Sequence, residues 1–289
     1  MEYITLRNGL KLPMIGFGTY PLKGDELRDT LQRAYNIGYT LFDSASLYQN
    51  EQDIGDCIVR GIMDRSQIIL TSKIQGIQFT GRRRYFYLDK VSVAKAYRKA
   101  CRKFHTDDLD IYLLHSPFKG YTKAYKELIR LYKQNSVKAI GVSNFNEKEL
   151  DTLFQECGEY PMINQIEVHP YNTMKNTVAY CKEHEIQVEA YSPLGTGKHV
   201  GELLEEAVLK QIAENHQVSV PQVVLRWHIQ QGIIPIPRST NSERMFLNTQ
   251  VFHFALTKDE MSEIDKINKN TGFCSHLQQQ QKTMNNYNN

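Results

Sequence analysis

The sequence has few of the residues and patterns that mark specialised protein classes. Its 289 residues include five cysteines and no CxxC pair. An odd number of scattered thiols does not suggest a disulfide framework, and their spacing gives no zinc site. No stretch approaches the roughly 18 apolar residues of a membrane helix, and the charged N-terminal residues leave no apolar signal core. We therefore predict a cytoplasmic protein with no metal and no membrane segment.

An excess of charge of one sign is also lacking. The chain has 35 lysines and arginines against 32 aspartates and glutamates, a formal net charge of +3. Proteins that bind nucleic acids or membrane surfaces are usually far more basic. Hydrophobic residues make up 41% of the chain, enough for the core of a globular protein. We therefore expect neither nucleic-acid nor membrane binding, and the length allows one large domain or two smaller ones.

Short apolar runs rich in β-branched residues alternate along the chain with segments of helical periodicity. This alternation predicts βαβ units around a parallel sheet. Eight alternations without a linker rich in proline or glycine favour one closed (β/α)₈ TIM barrel over residues 1–275, rather than two doubly wound domains. The predicted strands are Met14–Gly18, Tyr39–Phe42, Ile68–Thr71, Leu109–Leu114, Val137–Val142, Ile163–Ile166, Gln187–Tyr191 and Ile233–Ile236.

The two ends of the chain depart from this alternation. Asn8–Gly9 lies between two short apolar runs, which predicts an N-terminal β-hairpin at the bottom of the barrel. After an extra C-terminal loop, residues 276–289 are rich in glutamine and asparagine, so we expect a mobile tail there. Within the barrel, Gly38 is placed to end the first helix, and Asn146 with Glu149 has the pattern of a helix-capping pair.

Four polar side chains follow predicted strands two to four, where a TIM barrel builds its active site. They are Asp43, Tyr48, Lys73 and His115. Taken singly, each has an ordinary explanation as a turn cap, a surface side chain or a rim residue. Together they make a proton donor, because Lys73 lowers the pKa of Tyr48, Asp43 holds Lys73 charged, and His115 donates a second hydrogen bond. This set is suited to protonating a carbonyl oxygen as hydride reaches the carbon.

These residues lie in sequence blocks that resemble the aldo-keto reductase superfamily over nearly the whole chain. The blocks run from NGLKLPMIGFGTY through FDSASLYQNE, ILTSK, DIYLLHSP, AIGVSNF, INQIEVHP and YSPLG to IPIPRSTNSERMFLN. The resemblance implies a TIM barrel that binds NADPH without a Rossmann domain, with the four polar residues as its catalytic tetrad. In agreement, no GxGxxG motif follows a predicted strand. The implied function is NADPH-dependent reduction of aldehydes or ketones to alcohols.

The resemblance also implies where the cofactor binds. Three polar side chains match positions that hydrogen-bond the nicotinamide carboxamide, a tyrosine matches the ring on which nicotinamide stacks, and the loop after it runs along the pyrophosphate. Two arginines and a serine match the site of the adenosine 2′-phosphate, which favours NADPH over NADH, and an asparagine matches an adenine contact. The carboxamide contacts are Ser143, Asn144 and Gln165, the stacking ring is Tyr191, and the pyrophosphate loop contains Ser192 and Leu194. The 2′-phosphate residues are Arg238, Ser239 and Arg244, and the adenine contact is Asn248.

Three features depart from the family pattern. Leu247 stands where the family usually has glutamate, which weakens one cofactor contact. Ser116 replaces a tryptophan often found after the catalytic histidine, so we expect a wider or more polar pocket, and Trp227, the only tryptophan, is predicted to pack in the core. The segment after Lys73 carries Arg82–Arg84 followed by three aromatic residues. We favour a surface loop here, then a lid over cofactor or an acidic substrate, and last a site for single-stranded nucleic acid.

The substrate pocket is predicted from the same resemblance. Its expected wall residues are Phe17, Tyr20, Leu47 and Phe118, and the short segment after the fourth strand favours an open pocket for a small carbonyl substrate. The sequence does not choose among small aldehydes, keto-sugars and prostaglandin-type ketones. We expect a monomer. The alternative function is a non-catalytic barrel that binds NADPH and regulates a partner, and the intact tetrad favours the enzyme over it.

Overall fold

The chain opens with a small hairpin. The computed structural model describes residues 1–75 and 93–273. Its first two strands, β1 (Tyr3–Thr5) and β2 (Lys11–Pro13), pair antiparallel. Gly9 has a φ of 89°, a left-handed conformation that glycine adopts without strain in the tight turn. The predicted N-terminal hairpin is therefore confirmed.

Eight parallel strands form the barrel, each bonded to the next along the chain. Backbone N–H groups of Gly16 and Gly18 donate to the carbonyl oxygens of Pro235 and Pro237, both at 3.0 Å, and so join the last strand to the first. The predicted (β/α)₈ TIM barrel is confirmed. The strands are β3 (Phe17–Gly18), β4 (Leu41–Asp43), β5 (Ile69–Ile74), β6 (Leu109–Leu114), β7 (Val137–Ser143), β8 (Ile163–Glu167), β9 (Gln187–Tyr191) and β10 (Ile234–Ile236).

Helices separate the strands and cover the outside of the barrel. Three of them lie between β9 and β10. The helices are α1 (Gly24–Ile37), α2 (Glu51–Val59), α3 (Val93–Phe104), α4 (Tyr121–Lys133), α5 (Glu147–Cys157), α6 (Lys175–Glu183), α7 (Lys198–Leu204), α8 (Ala207–His216), α9 (Val220–Gln230), α10 (Ser242–Thr249) and α11 (Lys258–Lys266).

Local signals in the sequence explain where two of these helices begin and end. Gly38 has a φ of 109° and donates its N–H to the last turn of α1, which is the predicted left-handed cap. At the start of α5, the side chains of Asn146 and Glu149 each accept a hydrogen bond from the backbone N–H of the other. This reciprocal capping box confirms the predicted pair.

The first predicted strand is longer than the observed one. Pairing with the neighbouring strand β4 begins only at Phe17, and the hydrogen bond that joins the barrel to β10 begins at Gly16, although Met14 and Ile15 are also buried. The reason is that the N–H of Met14 donates to the carbonyl oxygen of Glu2 and so extends the hairpin instead of the barrel. Trp227 packs in the core as predicted, and its Nε1 donates to Asp265 at 2.9 Å.

Some sequence-based expectations fall outside the described residues. These are the Arg82–Arg84 segment and the tail at residues 276–289. Among the helices within residues 1–75 and 93–273, none combines the length and the apolar character needed to cross a membrane.

Candidate active site

Four polar side chains meet at the carboxyl ends of three neighbouring strands. Asp43 ends β4, Lys73 lies near the end of β5, and His115 follows β6 directly. Tyr48 ends a single turn of 3-10 helix, Ser46–Tyr48, that begins shortly after β4. Because parallel strands end at the same rim of a barrel, this order of elements brings the predicted group together at the barrel mouth.

Lys73 lies at the centre of a buried chain of polar contacts. Its Nζ donates to Asp43 Oδ2 at 2.7 Å, to the Ser44 carbonyl oxygen at 3.1 Å and to Tyr48 Oη at 3.4 Å. Burial by itself lowers the pKa of an amine, but the charge of Asp43, the contact with Tyr48 and the charge of Glu189 raise the pKa of Lys73 above its ordinary value. Lys73 is therefore held as an ammonium ion against the phenol.

The surroundings of Tyr48 correct the expected direction of its pKa. Burial of the phenol disfavours the phenolate, and this effect exceeds the opposing attraction of Lys73. The charge of Asp43 adds to it, so the pKa of Tyr48 is raised above the usual value instead of lowered. Lys73 does lower the pKa of Tyr48, as predicted, but burial and Asp43 raise it by more. At neutral pH, Tyr48 is consequently a neutral phenol that keeps the proton an acid must donate.

His115 and Tyr20 both contact the Tyr48 ring. The His115 ring centroid is 5.7 Å from that of Tyr48, with the rings nearly perpendicular at 77°. The Tyr20 ring centroid is 5.0 Å away and its plane is tilted by 51°. His115 is 8% exposed, whereas Tyr20 is 55% exposed. The Tyr48 ring therefore has one buried and one exposed ring as neighbours.

A row of amide and hydroxyl groups continues from His115 across the next strands. Asn144 Nδ2 donates to the His115 carbonyl oxygen and to Ser143 Oγ, both at 3.0 Å, and its Oδ1 accepts from Tyr191 Oη at 2.8 Å. Asn144 has a φ of 65°, in the left-handed region that asparagine tolerates better than most residues. Ser143 Oγ donates to the backbone carbonyl oxygen of Gln165 at 2.8 Å. The residues predicted to contact nicotinamide therefore form one connected group beside the tetrad.

Gln165 has a partner that sequence reasoning missed. Its Nε2 donates to Asp43 Oδ1 and to Glu189 Oε2, each at 2.8 Å. Glu189 has no exposed surface. The signal that could have identified it is a carboxylate in the middle of QVEAY, a strand predicted to line the barrel. The alternation of residues along a strand places Glu189 and Tyr191 on the same face, so both point into the barrel.

The predicted phosphate residues surround the N-terminus of α10. Arg238 and Ser239 precede the helix, Arg244 lies in its first turn, and both arginines are exposed. Asn241 caps the helix by accepting from the Arg244 backbone N–H at 2.9 Å. A helix N-terminus carries partial positive charge, which adds to that of two guanidinium groups. By contrast Asn248 is 6% exposed, so its side chain is turned towards the core and away from solvent.

Comparison with known proteins agrees with this geometry. The sequence profile of the Aldo/keto reductase family matches residues 14–269. The chain belongs to this family. It is 37% identical to a glyoxal reductase of Bacillus subtilis, over 93% of both chains, and 36% identical to a 9,11-endoperoxide prostaglandin H2 reductase of Trypanosoma cruzi, over 92% of this chain and 91% of that one. A crystal structure of an aldo-keto reductase from a deep-sea metagenome library superimposes with a TM-score of 0.85, at 31% identity over 93% and 96% of the two chains.

The loop after β9 of this aldo/keto reductase is held by the C-terminal segment. Ser192 and Leu194, the predicted pyrophosphate residues, lie in this loop, and Ser192 has a φ of 49°. Further along, Phe273 stacks between His169 and His199, with ring centroids 4.7 Å and 3.9 Å away. His199 is part of α7, so the Phe273 contact joins the segment after β9 to the barrel rim. Sequence reasoning missed Phe273.

The structure divides the four predicted pocket residues into two pairs. Tyr20 and Leu47 are exposed at the mouth of this aldo/keto reductase, at 55% and 39%. Phe17 and Phe118 are only 1% and 2% exposed. Phe17 contacts the rings of Tyr39 and Phe42. Since Phe42 precedes Asp43, which points into the mouth, alternation along the strand directs Phe42 and Phe17 outwards to the helices. In this structure Phe17 and Phe118 expose little surface, and their role as pocket walls stays a prediction.

Proposed function

We propose that this aldo/keto reductase uses NADPH to reduce aldehydes or ketones to alcohols, with Tyr48 as the general acid. The observation that carries the proposal is the chain of contacts from buried Asp43 and Lys73 to half-buried Tyr48, next to His115 at the barrel mouth. A phenol backed by an ammonium ion is suited to give up its proton to an oxygen that becomes negative.

The side chains around the tetrad fit the chemistry of NADPH. The amides of Asn144 and Gln165 match the carboxamide of nicotinamide, which needs both donors and acceptors. The two exposed arginines at the N-terminus of α10 match a phosphate group, because guanidinium groups and helix N-termini both bind phosphate oxygens. When bound, NADPH supplies hydride to the carbonyl carbon.

The residues of the tetrad have separate tasks in this proposal. Tyr48 and His115 hydrogen-bond the substrate oxygen, which polarises the carbonyl group. Tyr48 then donates its proton to that oxygen. Lys73 stabilises the resulting phenolate because it is 3.4 Å from the phenol oxygen, and Asp43 keeps Lys73 charged and in place. Water restores the proton of Tyr48 after the alcohol leaves.

We propose small aldehydes, including dicarbonyl compounds such as glyoxal, as substrates of a monomeric enzyme. Two observations support this class. A glyoxal reductase is among the relatives that match over nearly the whole chain. In addition, the segment between β6 and α4 is short, which fits an open pocket that a small aldehyde can enter.

The experiment is a spectrophotometric assay of NADPH oxidation by the purified protein with glyoxal, methylglyoxal and a larger ketone. We expect NADPH to be consumed faster with the small aldehydes than with the ketone. The second candidate function is a sensor that binds NADPH without turnover. Quenching of protein fluorescence by NADPH, together with no NADPH oxidation by any carbonyl compound, would favour the sensor and contradict the enzyme.

A further inference from the structure

Glu189 is a buried carboxyl group that the proposed reaction does not use. It lies on β9, in register with Gln165 on β8 and next to Ile234 on β10. It has no exposed surface, and its Oε1 has no hydrogen-bond partner among the residues that the structure describes. Burying a carboxyl group with an unmet acceptor costs free energy, and an apolar side chain would fill this barrel layer without that cost. Its presence therefore needs an explanation other than packing.

The contacts of Glu189 determine which end of the Gln165 amide faces it. An amide has two N–H donors at one end and an acceptor oxygen at the other. Asp43 and Glu189 both present carboxyl oxygens to Gln165 at 2.8 Å, so its nitrogen faces them and both N–H groups are used. The side-chain carbonyl oxygen of Gln165 therefore faces away from the two carboxyl groups. Such an oxygen accepts a hydrogen bond from the NH₂ group of a carboxamide.

Glu189 also lies close to the expected position of the nicotinamide ring. Tyr191, the predicted stacking residue, is two residues further along β9 and faces the same side. The two side chains are therefore about 7 Å apart along the strand, with Glu189 one layer deeper. The charged side chains that act on Glu189 are Asp43 from β4 and Lys73 from β5.

We propose that Glu189 is a positioning residue of the cofactor site, which fixes the Gln165 amide with its carbonyl oxygen available to the carboxamide of nicotinamide. This inference rests on the proposed function, because it assumes that NADPH binds at the barrel mouth. Glu189 contacts neither the substrate nor the reacting atoms. Its loss is expected to weaken cofactor binding while the chemical step is largely kept.

The charge of Glu189 adds a pH dependence to the same site. Burial and the charge of Asp43 raise the pKa of Glu189 to about 7, while the hydrogen bond from Gln165 and the charge of Lys73 oppose the rise. Ionised Glu189 would place a negative charge near the proposed nicotinamide site. Because the ring is positively charged in NADP⁺ and neutral in NADPH, the ionised form favours NADP⁺. The preference for NADP⁺ over NADPH is therefore expected to increase as the pH rises through neutrality.

The test compares Glu189→Gln with Glu51→Gln as a matched control. Glu51 is likewise a buried glutamate, 1% exposed, that accepts from Ser72 and pairs with Lys103 away from Gln165. Glutamine at position 189 can donate as well as accept, so Gln165 is no longer held in one orientation. We expect Glu189→Gln to raise the Kd for NADPH about fivefold or more and to leave kcat at saturating NADPH within about threefold. Glu51→Gln should keep the Kd of the unchanged protein.

A second measurement uses the unchanged protein and does not depend on the folding of a variant. Fluorescence titrations give the Kd values for NADPH and NADP⁺ between about pH 5.5 and 8.5. As the pH rises over this range, the Kd for NADPH divided by the Kd for NADP⁺ should increase about threefold or more. This change should be lost in Glu189→Gln and kept in Glu51→Gln. Equal affinities and an equal pH dependence in the unchanged protein and Glu189→Gln would overturn the inference alone. Failure of the unchanged protein to bind NADPH would instead overturn the proposed function.

Discussion

At the scale of single residues, Tyr48 shows how burial and charge act against each other. Burial and Asp43 raise the pKa of Tyr48, while Lys73 lowers it, and the sum is a raised value. A raised pKa keeps the proton on Tyr48 but also makes the proton harder to donate. In the proposed reaction, the ammonium group of Lys73 stabilises the phenolate that forms next to it when Tyr48 gives up its proton. Protonation before the reaction and stabilisation of charge during it come from different neighbours.

The first prediction concerns this proton donor. Tyr48→Phe should bind NADPH with nearly unchanged Kd but reduce glyoxal at least about 100-fold more slowly, since general acid catalysis contributes that much or more. Steady-state kcat and a fluorescence titration provide the measurement. Tyr125→Phe is the matched control, because Tyr125 is fully buried and its hydroxyl has no hydrogen-bond partner among the described residues. Comparable rates for Tyr48→Phe and Tyr125→Phe would remove Tyr48 from the mechanism.

The second prediction is the dependence of stability on pH that Glu189 causes. Its pKa is about 7 in the folded protein against an ordinary value of 4.5. Because the folded value is the higher one, the group adds stability below about pH 4.5, and this stability is lost as the pH rises through about 7. Glu189→Gln carries no such titration. Its free energy of unfolding should therefore rise relative to the unchanged protein by on the order of 3 kcal/mol between about pH 4.5 and pH 8.

Urea unfolding at the two pH values gives this difference directly. If the free energies of unfolding of Glu189→Gln and the unchanged protein differ by the same amount at every pH, Glu189 does not titrate near neutrality. The pH dependence of cofactor binding would then need another group.

The sequence contained enough information to assemble the tetrad. Each of its members lies just after an apolar run, and the barrel topology brings such positions to one rim. Glu189 was not found because a strand with one charged residue reads as half-exposed, and alternation alone does not say which face is inside. The balance between burial and charge at Tyr48 depends on three-dimensional distances, which a sequence does not provide.

At the scale of secondary-structure elements, the N-terminus of α10 combines three sources of positive potential. The unpaired N–H groups of the first turn, Arg238 and Arg244 all lie there. Asn241 satisfies one N–H group by capping, and the exposed arginines are available to a ligand. The helix thereby supplies a predicted phosphate site without a glycine-rich loop.

The third prediction tests this helix terminus. Arg244→Ala should raise the Kd for NADPH about tenfold or more, since a hydrogen bond to a charged group contributes on the order of 1.5–3 kcal/mol. The Kd for NADH should change little because NADH lacks the 2′-phosphate. Arg60→Ala, which removes an exposed arginine at the end of α2, is the control. An equal loss of affinity for both cofactors in Arg244→Ala would contradict the assignment.

The fourth prediction concerns the end of α1. A Cβ atom added at Gly38 would meet no atom within 4 Å, so Gly38→Ala tests backbone conformation alone. Because φ is 109°, we expect the free energy of unfolding to fall by about 1 kcal/mol. Gly201→Ala is the control, since Gly201 lies within α7 with equal space around it, and alanine there should stabilise slightly. Urea unfolding that shows no loss for Gly38→Ala would contradict the cap.

Elements with strong local signals were predicted well, and those that depend on tertiary contacts were not. Gly38 and the Asn146–Glu149 pair were correct because caps are set by neighbouring residues. The first barrel strand was predicted too long, because the hairpin competes for the Met14 backbone.

At the scale of the whole molecule, one closed barrel explains how distant parts of the sequence form one site. Asp43 and Gln165 are far apart in sequence, yet their side chains are 2.8 Å apart at the rim. The fold, the family and the arrangement of the tetrad agree with one another. A near-neutral net charge does not reveal this site, because its important charges are few: a buried ammonium ion beneath a phenol, and two arginines at a helix end.

The most direct test of the central claim follows the hydride itself. NADPH carrying deuterium at the transferable position of nicotinamide is incubated with the unchanged protein and glyoxal, and the product is analysed by mass spectrometry. We predict an alcohol with one deuterium on its carbinol carbon and an equivalent amount of NADP⁺. Bound NADPH that yields no alcohol, or an alcohol without deuterium on carbon, would contradict it.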